Sequence, residues 1–332
     1  MAGTNPLQVM PHMEADLARV EAELTAAAGS GDPFLTEIAT HLISAGGKRV
    51  RPGFCVAAAA TALTVDAPAS PEAVTGAVAV ELVHLGSLYH DDVMDEAVVR
   101  RTVDSVNARW GNLKAILAGD FLLARASELA ASLGVEVAGL LAATIGRLCE
   151  GQVRELQHAF DVDRSRDAYL SSIDGKTASL LGASCRIGGI VAELPGEHTN
   201  ALTTFGHSYG MAFQVVDDVL DLVSTEADLG KPAGHDLEEG VYTLPVILTL
   251  ESERGPELRE LLGGPVDAAT RDKAIAIVRD GPGIPGAIDV ARRYADTART
   301  ALADLPPSPG VTGLTAAADY LLDSVEAAAQ PS

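Results

Sequence analysis

Two short acidic runs carry the chemistry of this chain: Asp91-Asp92-Val93-Met94-Asp95 and Asp217-Asp218-Val219-Leu220-Asp221. Each Asp-Asp-x-x-Asp run closes a long apolar stretch with helical spacing. Residues four apart share a helix face, so Asp91 points with Asp95 and Asp217 with Asp221. Two facing helices with such pairs would line a space with carboxylate oxygens. Hard cations such as Mg²⁺ take those ligands, and Mg²⁺ usually shares its shell with substrate phosphates. A lone acidic run is ordinarily a solvated helix end. The flanks His84-Leu85-Gly86-Ser87-Leu88-Tyr89-His90 and Met211-Ala212-Phe213-Gln214-Val215-Val216 argue otherwise, being mostly apolar. Carboxylates that continue an apolar face are costly unless cations compensate them. The pattern points to a diphosphate substrate.

Lysine usage agrees. Only five of the 24 basic residues are Lys, and three of those adjoin glycine: Gly46-Gly47-Lys48, Gly175-Lys176-Thr177 and Gly230-Lys231-Pro232. A compact ammonium beside glycine suits a phosphate oxygen.

The elements that must position these groups are helical. Apolar spacing and stop signals predict helices over about 12–28, 33–45, 52–64, 71–97, 112–133, 135–160, 166–192, 198–224, 240–253, 266–280, 284–304 and 312–329. Ser70-Pro71 is a cap followed by proline at the first helical position. The stretches 71–97, 112–133, 166–192 and 198–224 look hydrophobic nearly all round, as buried helices do. No linker rich in Pro, Gly and Ser divides the chain, and the two acidic runs must converge to work. One all-helical domain over 1–332 is expected.

Composition narrows the function. The chain has 332 residues, 47% hydrophobic but only 4% aromatic, with a formal net charge of −22. That charge excludes a nucleic-acid partner, which requires a basic face, and disfavours anionic lipid. Cys55, Cys149 and Cys185 are isolated and read as reduced, buried small hydrophobes. No signal peptide and no stretch long enough to span a bilayer are seen, so a cytoplasmic protein is expected.

At this point the residues resemble the trans-polyprenyl diphosphate synthases over about 30–325. The resemblance rests on Gly46-Gly47-Lys48-Arg49-Val50-Arg51-Pro52, His84, the first acidic run followed by Arg100-Arg101, Gly119-Asp120, Gly151-Gln152 and Lys176-Thr177. It continues through Phe213-Gln214 with the second acidic run, and Gly230-Lys231-Pro232-Ala233-Gly234-His235-Asp236-Leu237. It implies a prenyltransferase with an all-α, isoprenoid-synthase-type bundle around a central cavity, usually a homodimer. It implies three Mg²⁺ ions, an allylic diphosphate and isopentenyl diphosphate. Carried over, Asp91, Asp95 and Asp217, supported by Asp221, hold the metals, while Asp92 and Asp218 stand behind them. Arg100, Lys176, Thr177, Gln214 and Lys231 bind the allylic diphosphate. Lys48, Arg51, His84 and Arg101 bind isopentenyl diphosphate. Asp91, Asp95, Asp217, Lys176 and Lys231 are the expected catalytic set. One departure stands out: the family's usual lysine after the second run is Val241 here, which removes one diphosphate contact.

The resemblance also bears on product length. Bulky aromatics just before the first run resemble a floor in short-chain members; here Gly86 and Ser87 are small, and Val83, Ala79 and Gly76 continue the same face. From Asp91 to Gly76 a helix covers about 22 Å, so a product longer than farnesyl is expected. A farnesyl- or geranylgeranyl-length synthase is one alternative. A class I terpene cyclase is another, though cyclases guide cations with aromatic walls and this chain has one Trp, six Tyr and six Phe. The third is a non-catalytic partner subunit of a heteromeric synthase, in which the acidic runs are usually degraded.

Overall fold

A computed structural model describes residues 5–224 and 234–329. Its helices arise where the sequence places a cap before an apolar run. Asp32 accepts hydrogen bonds from Phe34 N and Leu35 N ahead of Pro33, opening α2, Pro33–Ser44. Ser70 accepts from Ala73 N ahead of Pro71, opening α4, Pro71–Met94. Such caps satisfy amides that the first turn leaves without partners. Before α4 come α1, Met13–Ala27, and α3, Val50–Ala59. After it come α5, Val106–Trp110, α6, Asn112–Ser132, and α7, Val135–Gln157. Then follow α8, Arg166–Ile173, a π-helical turn at Asp174–Ala178, α9, Ser179–Val191, and α10, Gly196–Val223. The last elements are α11, His235–Glu238, α12, Leu244–Leu250, α13, Gly255–Arg259, α14, Ala268–Arg279, α15, Gly283–Ala301, and α16, Pro309–Ala329. Among the described residues, extended pairing is confined to one antiparallel hairpin, β1, Val99–Arg100, with β2, Val103–Asp104.

The helices wrap around α9, which packs against α3, α4, α7 and α10; α4 in turn packs on α6, and α10 on α15. Buried apolar side chains form one continuous cluster from Leu7 to Leu321. Tyr89 illustrates how the layers lock. It is fully buried on α4, and its hydroxyl donates to Ile38 O of α2 at 2.8 Å. Among the described residues no helix is long and apolar enough to cross a membrane.

Four expectations need correction. The 71–97 helix ends at Met94, with Asp95 as its C-cap. Glu96 takes left-handed backbone at φ 49 and Ala97 N closes back on Asp92 O at 2.9 Å, a hydrogen-bonded stop that turns the chain out of the helix. The 112–133 helix is not buried all round: α6 buries Ala115, Ala118, Gly119, Leu122, Ala126 and Ala130, yet leaves Leu113 73% and Leu117 57% exposed. Cys149 is exposed, whereas Cys55 and Cys185 are buried. The 166–192 helix is broken by the π turn.

Candidate active site

The two acidic runs end α4 and α10, helices held apart by α9 and the π turn. Both therefore add carboxylates to the negative end of a helix dipole. Between them lies a polar cavity of about 770 Å³, lined by Asp95 from the first run and Asp217, Asp218 and Asp221 from the second. Lys48, Arg100, Arg101, Lys176 and Gln214 line the same cavity. Behind Asp91 opens a more apolar cavity of about 550 Å³. His84, Ser87, Leu88 and Asp91, one face of α4, form one wall of it, and Arg51 and Thr177 also line it. Lys176 borders both cavities. Lys231 lies outside the described residues.

Burial sets the charge states. It pushes the Asp91 carboxyl up against the opposing pull of Lys176, and Asp95 up to about 6. It pulls Lys176 down, but Glu155, Asp91 and Asp95 together hold that ammonium above the ordinary lysine value. His84 is held well below its ordinary value, by burial first and then by Arg51, Arg101 and Arg49. It is therefore neutral near pH 7 and carries one donor and one acceptor nitrogen. The middle aspartates face inward to protein partners. Arg100 Nε donates to Asp92 Oδ1 at 2.6 Å. Asp218, pushed by burial to about 7, accepts from the Tyr169 hydroxyl and, at 2.9 Å, from Gln214 Nε2. Gln214 Oε1 then accepts from Thr177 Oγ1 at 2.8 Å. The chain Tyr169–Asp218–Gln214–Thr177 orients one side of the polar cavity from within the core.

The basic side is oriented just as firmly. Arg49 sits at φ 47, left-handed backbone, and turns its guanidinium inward to Glu21 and Glu81, each at 2.7 Å. Glu81 is only 2% exposed, on α4. Burial pushes its carboxyl up against the pull of Arg49, Arg51 and Arg101. Arg101 donates to Gly46 O and to Leu42 O, tying the β1–β2 hairpin to the Gly46-Gly47-Lys48 loop. Arg51 Nε is buried without a protein partner, a donor that a ligand anion can satisfy.

The donor set fits a divalent cation. Carboxylates from two helix ends meet one polar space; burial raises those of Asp95 and Asp218, and a cation relieves that cost. Among the described residues no three acidic, imidazole or thiol groups close on a point tightly enough to hold an ion unaided. Mg²⁺ is usually bound by one or two carboxylates with waters and substrate phosphates completing its octahedron. Carboxylates on two walls suit that arrangement better than a cage.

Of the residues expected to control length, Ser87 lines the apolar cavity. Gly86 packs against α6, where an added Cβ would lie 3.0 Å from Gly119 O, and Val83 is fully buried in the core. Gly76 likewise serves close packing, 2.7 Å from Ile187 Cγ2 for an added Cβ. The face of α4 that opens on the apolar cavity is therefore that of Leu88, Ser87 and His84. Val241 lines the polar cavity where a lysine was expected. Sequence reading missed Glu155, Tyr169 and Glu81. Glu81 had a signal, an acid inside the apolar run from Val74 to Leu88. Glu155 and Tyr169 had none, since their partners lie 21 and 49 residues away.

Residues 32–278 match the family described as Polyprenyl synthetase. The chain is 44% identical over 313 residues to nonaprenyl diphosphate synthase of Mycobacterium tuberculosis, covering 93% of this chain and 92% of that one. It is 40% identical over 292 residues to heptaprenyl diphosphate synthase component 2 of Geobacillus stearothermophilus, covering 88% and 90%. Its fold superposes on polyprenyl synthase from Caulobacter crescentus CB15, solved with calcium and isoprenyl diphosphate, with TM-score 0.88 and 34% identity over 97% of this chain and 98% of that one. It matches a decaprenyl diphosphate synthase from Rhodobacter capsulatus equally well, TM-score 0.88 at 34% identity over 96% and 98%.

Proposed function

The chain belongs to the polyprenyl synthetase family and is a prenyltransferase that makes a product longer than farnesyl diphosphate; from that premise we propose which residues handle each substrate. The carrying observation is the shared polar cavity, where both acidic runs face Lys176, Arg100 and Gln214 beside an apolar recess.

In this proposal Asp91, Asp95, Asp217 and Asp221 hold three Mg²⁺ ions together with the allylic diphosphate. The ions, when bound, neutralise the diphosphate and favour departure of its bridging oxygen. Lys176 and Arg100 add fixed positive charge, and Thr177 and Gln214 add directed hydrogen bonds. Lys231 joins this set. Lys48, Arg51, His84 and Arg101 hold isopentenyl diphosphate, Arg by planar forks and Lys as a point charge.

The allylic C–O bond breaks with its electrons leaving on diphosphate. The double bond of isopentenyl diphosphate attacks the carbocation, forming the new C–C bond. A proton then leaves the adjoining carbon and is taken up by the released diphosphate. The apolar side chains of the recess, Leu88, Met94, Leu148 and Leu156, keep water from the cation and receive the growing chain.

We further propose one helical domain acting in the cytoplasm as a homodimer. The apolar residues Leu113, Ile116 and Leu117 of α6 and Val153 and Leu156 of α7, all exposed, support a self-association face. The Geobacillus relative is named as one component of a synthase, which keeps a heteromer in play. Incubating the purified chain alone with farnesyl diphosphate, isopentenyl diphosphate and MgCl₂, with its mass measured in solution, tests all of this. Chain-elongated product from a dimer of this single chain is the expected result. Inactivity without a second protein would refute it.

A further inference from the structure

We propose that Asp174 is a positioning residue for the allylic diphosphate, acting through the π turn that carries Lys176 and Thr177. The inference rests on the reading above that those two residues meet diphosphate.

A π turn inserts an extra residue into a helical run and is rarely kept without local function. Here it shifts Lys176 and Thr177 relative to an unbroken helix and points them at the two cavities. Its backbone is pressed onto α7: an added Cβ on Gly151 would lie 2.4 Å from Lys176 N, and one on Gly175 would lie 2.6 Å from Arg147 O. Only glycines allow that approach.

Four side-chain contacts then grip the turn, in two matched pairs. The inner pair joins Lys176 to Glu155 of α7 and Thr177 to Gln214 of α10. The outer pair joins one carboxylate, Asp174, to Arg147 of α7 at 2.6 Å and to His207 of α10. Arg147 precedes Glu155, and His207 precedes Gln214, by about two helical turns. Each outer partner therefore lies on the same stripe of its helix as the inner one. Asp174 is not among the residues lining either cavity. It clamps the turn between α7 and α10 from outside, and the inner side chains inherit their places. His207 first, and then Arg147, hold the Asp174 carboxyl down at about 2, so it is ionised at working pH. Asp174 is 36% exposed and Arg147 48%, and exposed pairs of this kind contribute little to global stability. A role confined to stability would therefore be small and unselective.

The test uses Asp174→Asn and His207→Gln in the full chain. Three readouts are taken: calorimetric affinity for inorganic pyrophosphate with MgCl₂, Michaelis constants for farnesyl and isopentenyl diphosphates, and hydrogen exchange over 174–178. For Asp174→Asn the expected result is about tenfold weaker pyrophosphate binding and an allylic KM raised about tenfold, the scale of one charge-assisted bond between the turn and diphosphate falling out of alignment. The isopentenyl KM should stay within about twofold, exchange across the turn should quicken, and the melting temperature should barely move. His207→Gln should show the same pattern more weakly, since Arg147 remains. Wild-type pyrophosphate affinity in Asp174→Asn overturns the inference, as does a parallel rise of both KM values with a lowered melting temperature. Absence of Mg²⁺-dependent pyrophosphate binding in the wild type overturns the site assignment itself, and the inference with it.

Discussion

The Lys176 ammonium stands 2.5 Å from a Glu155 carboxylate oxygen, bridging the π turn and α7 at the border of both cavities. The cation proposed to meet substrate is already paired in this structure, and Glu155 puts a negative charge where the proposed anion would enter. Replacing Glu155 with Gln should strengthen binding of inorganic pyrophosphate in the presence of EDTA by severalfold, since one repulsive neighbour is gone. Calorimetry without metal reads this directly. Weaker binding would show that Glu155 aids the anion rather than competing with it.

Asp91→Ala and Asp217→Ala should each lower kcat by about a hundredfold or more, the scale seen when one electrostatic contact to a developing charge is lost. Circular dichroism and melting temperature should change little, because Asp91 is only partly buried and Asp217 is exposed. Near-normal turnover in either variant would break the metal assignment.

Ser87 lines the apolar cavity one turn before Asp91. Ser87→Phe should fill part of that recess and shorten the product, while the wild type elongates beyond farnesyl. Chromatography of dephosphorylated products compares the two. An unchanged distribution would mean that the chain grows along another wall.

Burial raises Asp95 from 3.8 to about 6. Between those values folding takes up a proton at this site, so its contribution favours the folded state at low pH and is lost as pH rises through about 6. On the proposed assignment, a divalent cation with diphosphate would replace that proton. Thermal stabilisation by MgCl₂ plus pyrophosphate should therefore be greater at pH 7.5 than at pH 5, and kcat/KM should fall below about pH 6. Equal stabilisation at both values would remove Asp95 from the set.

Burial pushes the Cys55 thiol up to about 12 and Cys185 well above its ordinary value. Thiolates react and thiols do not. One equivalent of a disulfide reagent should be consumed by the native protein, at exposed Cys149, and three after denaturation. Mass spectrometry of the labelled peptides assigns the sites.

The sequence revealed the bundle because caps and apolar periodicity are local. Ser70-Pro71 opens α4 where its chemistry predicts. The acidic runs were legible for the same reason, since spacing of four is a property of one helix. The short helices α5, α11 and α13 and the β1–β2 hairpin were not, being too short to show a period. Leu113 and Leu117 look like core residues in sequence, because periodicity cannot say whether the covering surface comes from the same chain. Tyr169 with Asp218, and Lys176 with Glu155, are pairings made by the fold between distant segments, so no window on the chain contains them. Glu81 could have been found, as an acid in the middle of a greasy run.

The β1–β2 hairpin is a short bracket between the first acidic run and the Gly46-Gly47-Lys48 loop. Arg100 reaches back to Asp92 in the first acidic run, and its neighbour Arg101 reaches across to the carbonyls of Leu42 and Gly46. Arg101 at φ 51 and Thr102 at φ 67 leave the bend no slack, since a β-branched residue rarely tolerates such backbone. On the proposed assignment, loosening it would upset both reaction partners at once. Natural drift in primer choice should consequently avoid Arg100, Arg101 and Thr102, and random mutants that lose affinity for both diphosphates together should cluster there.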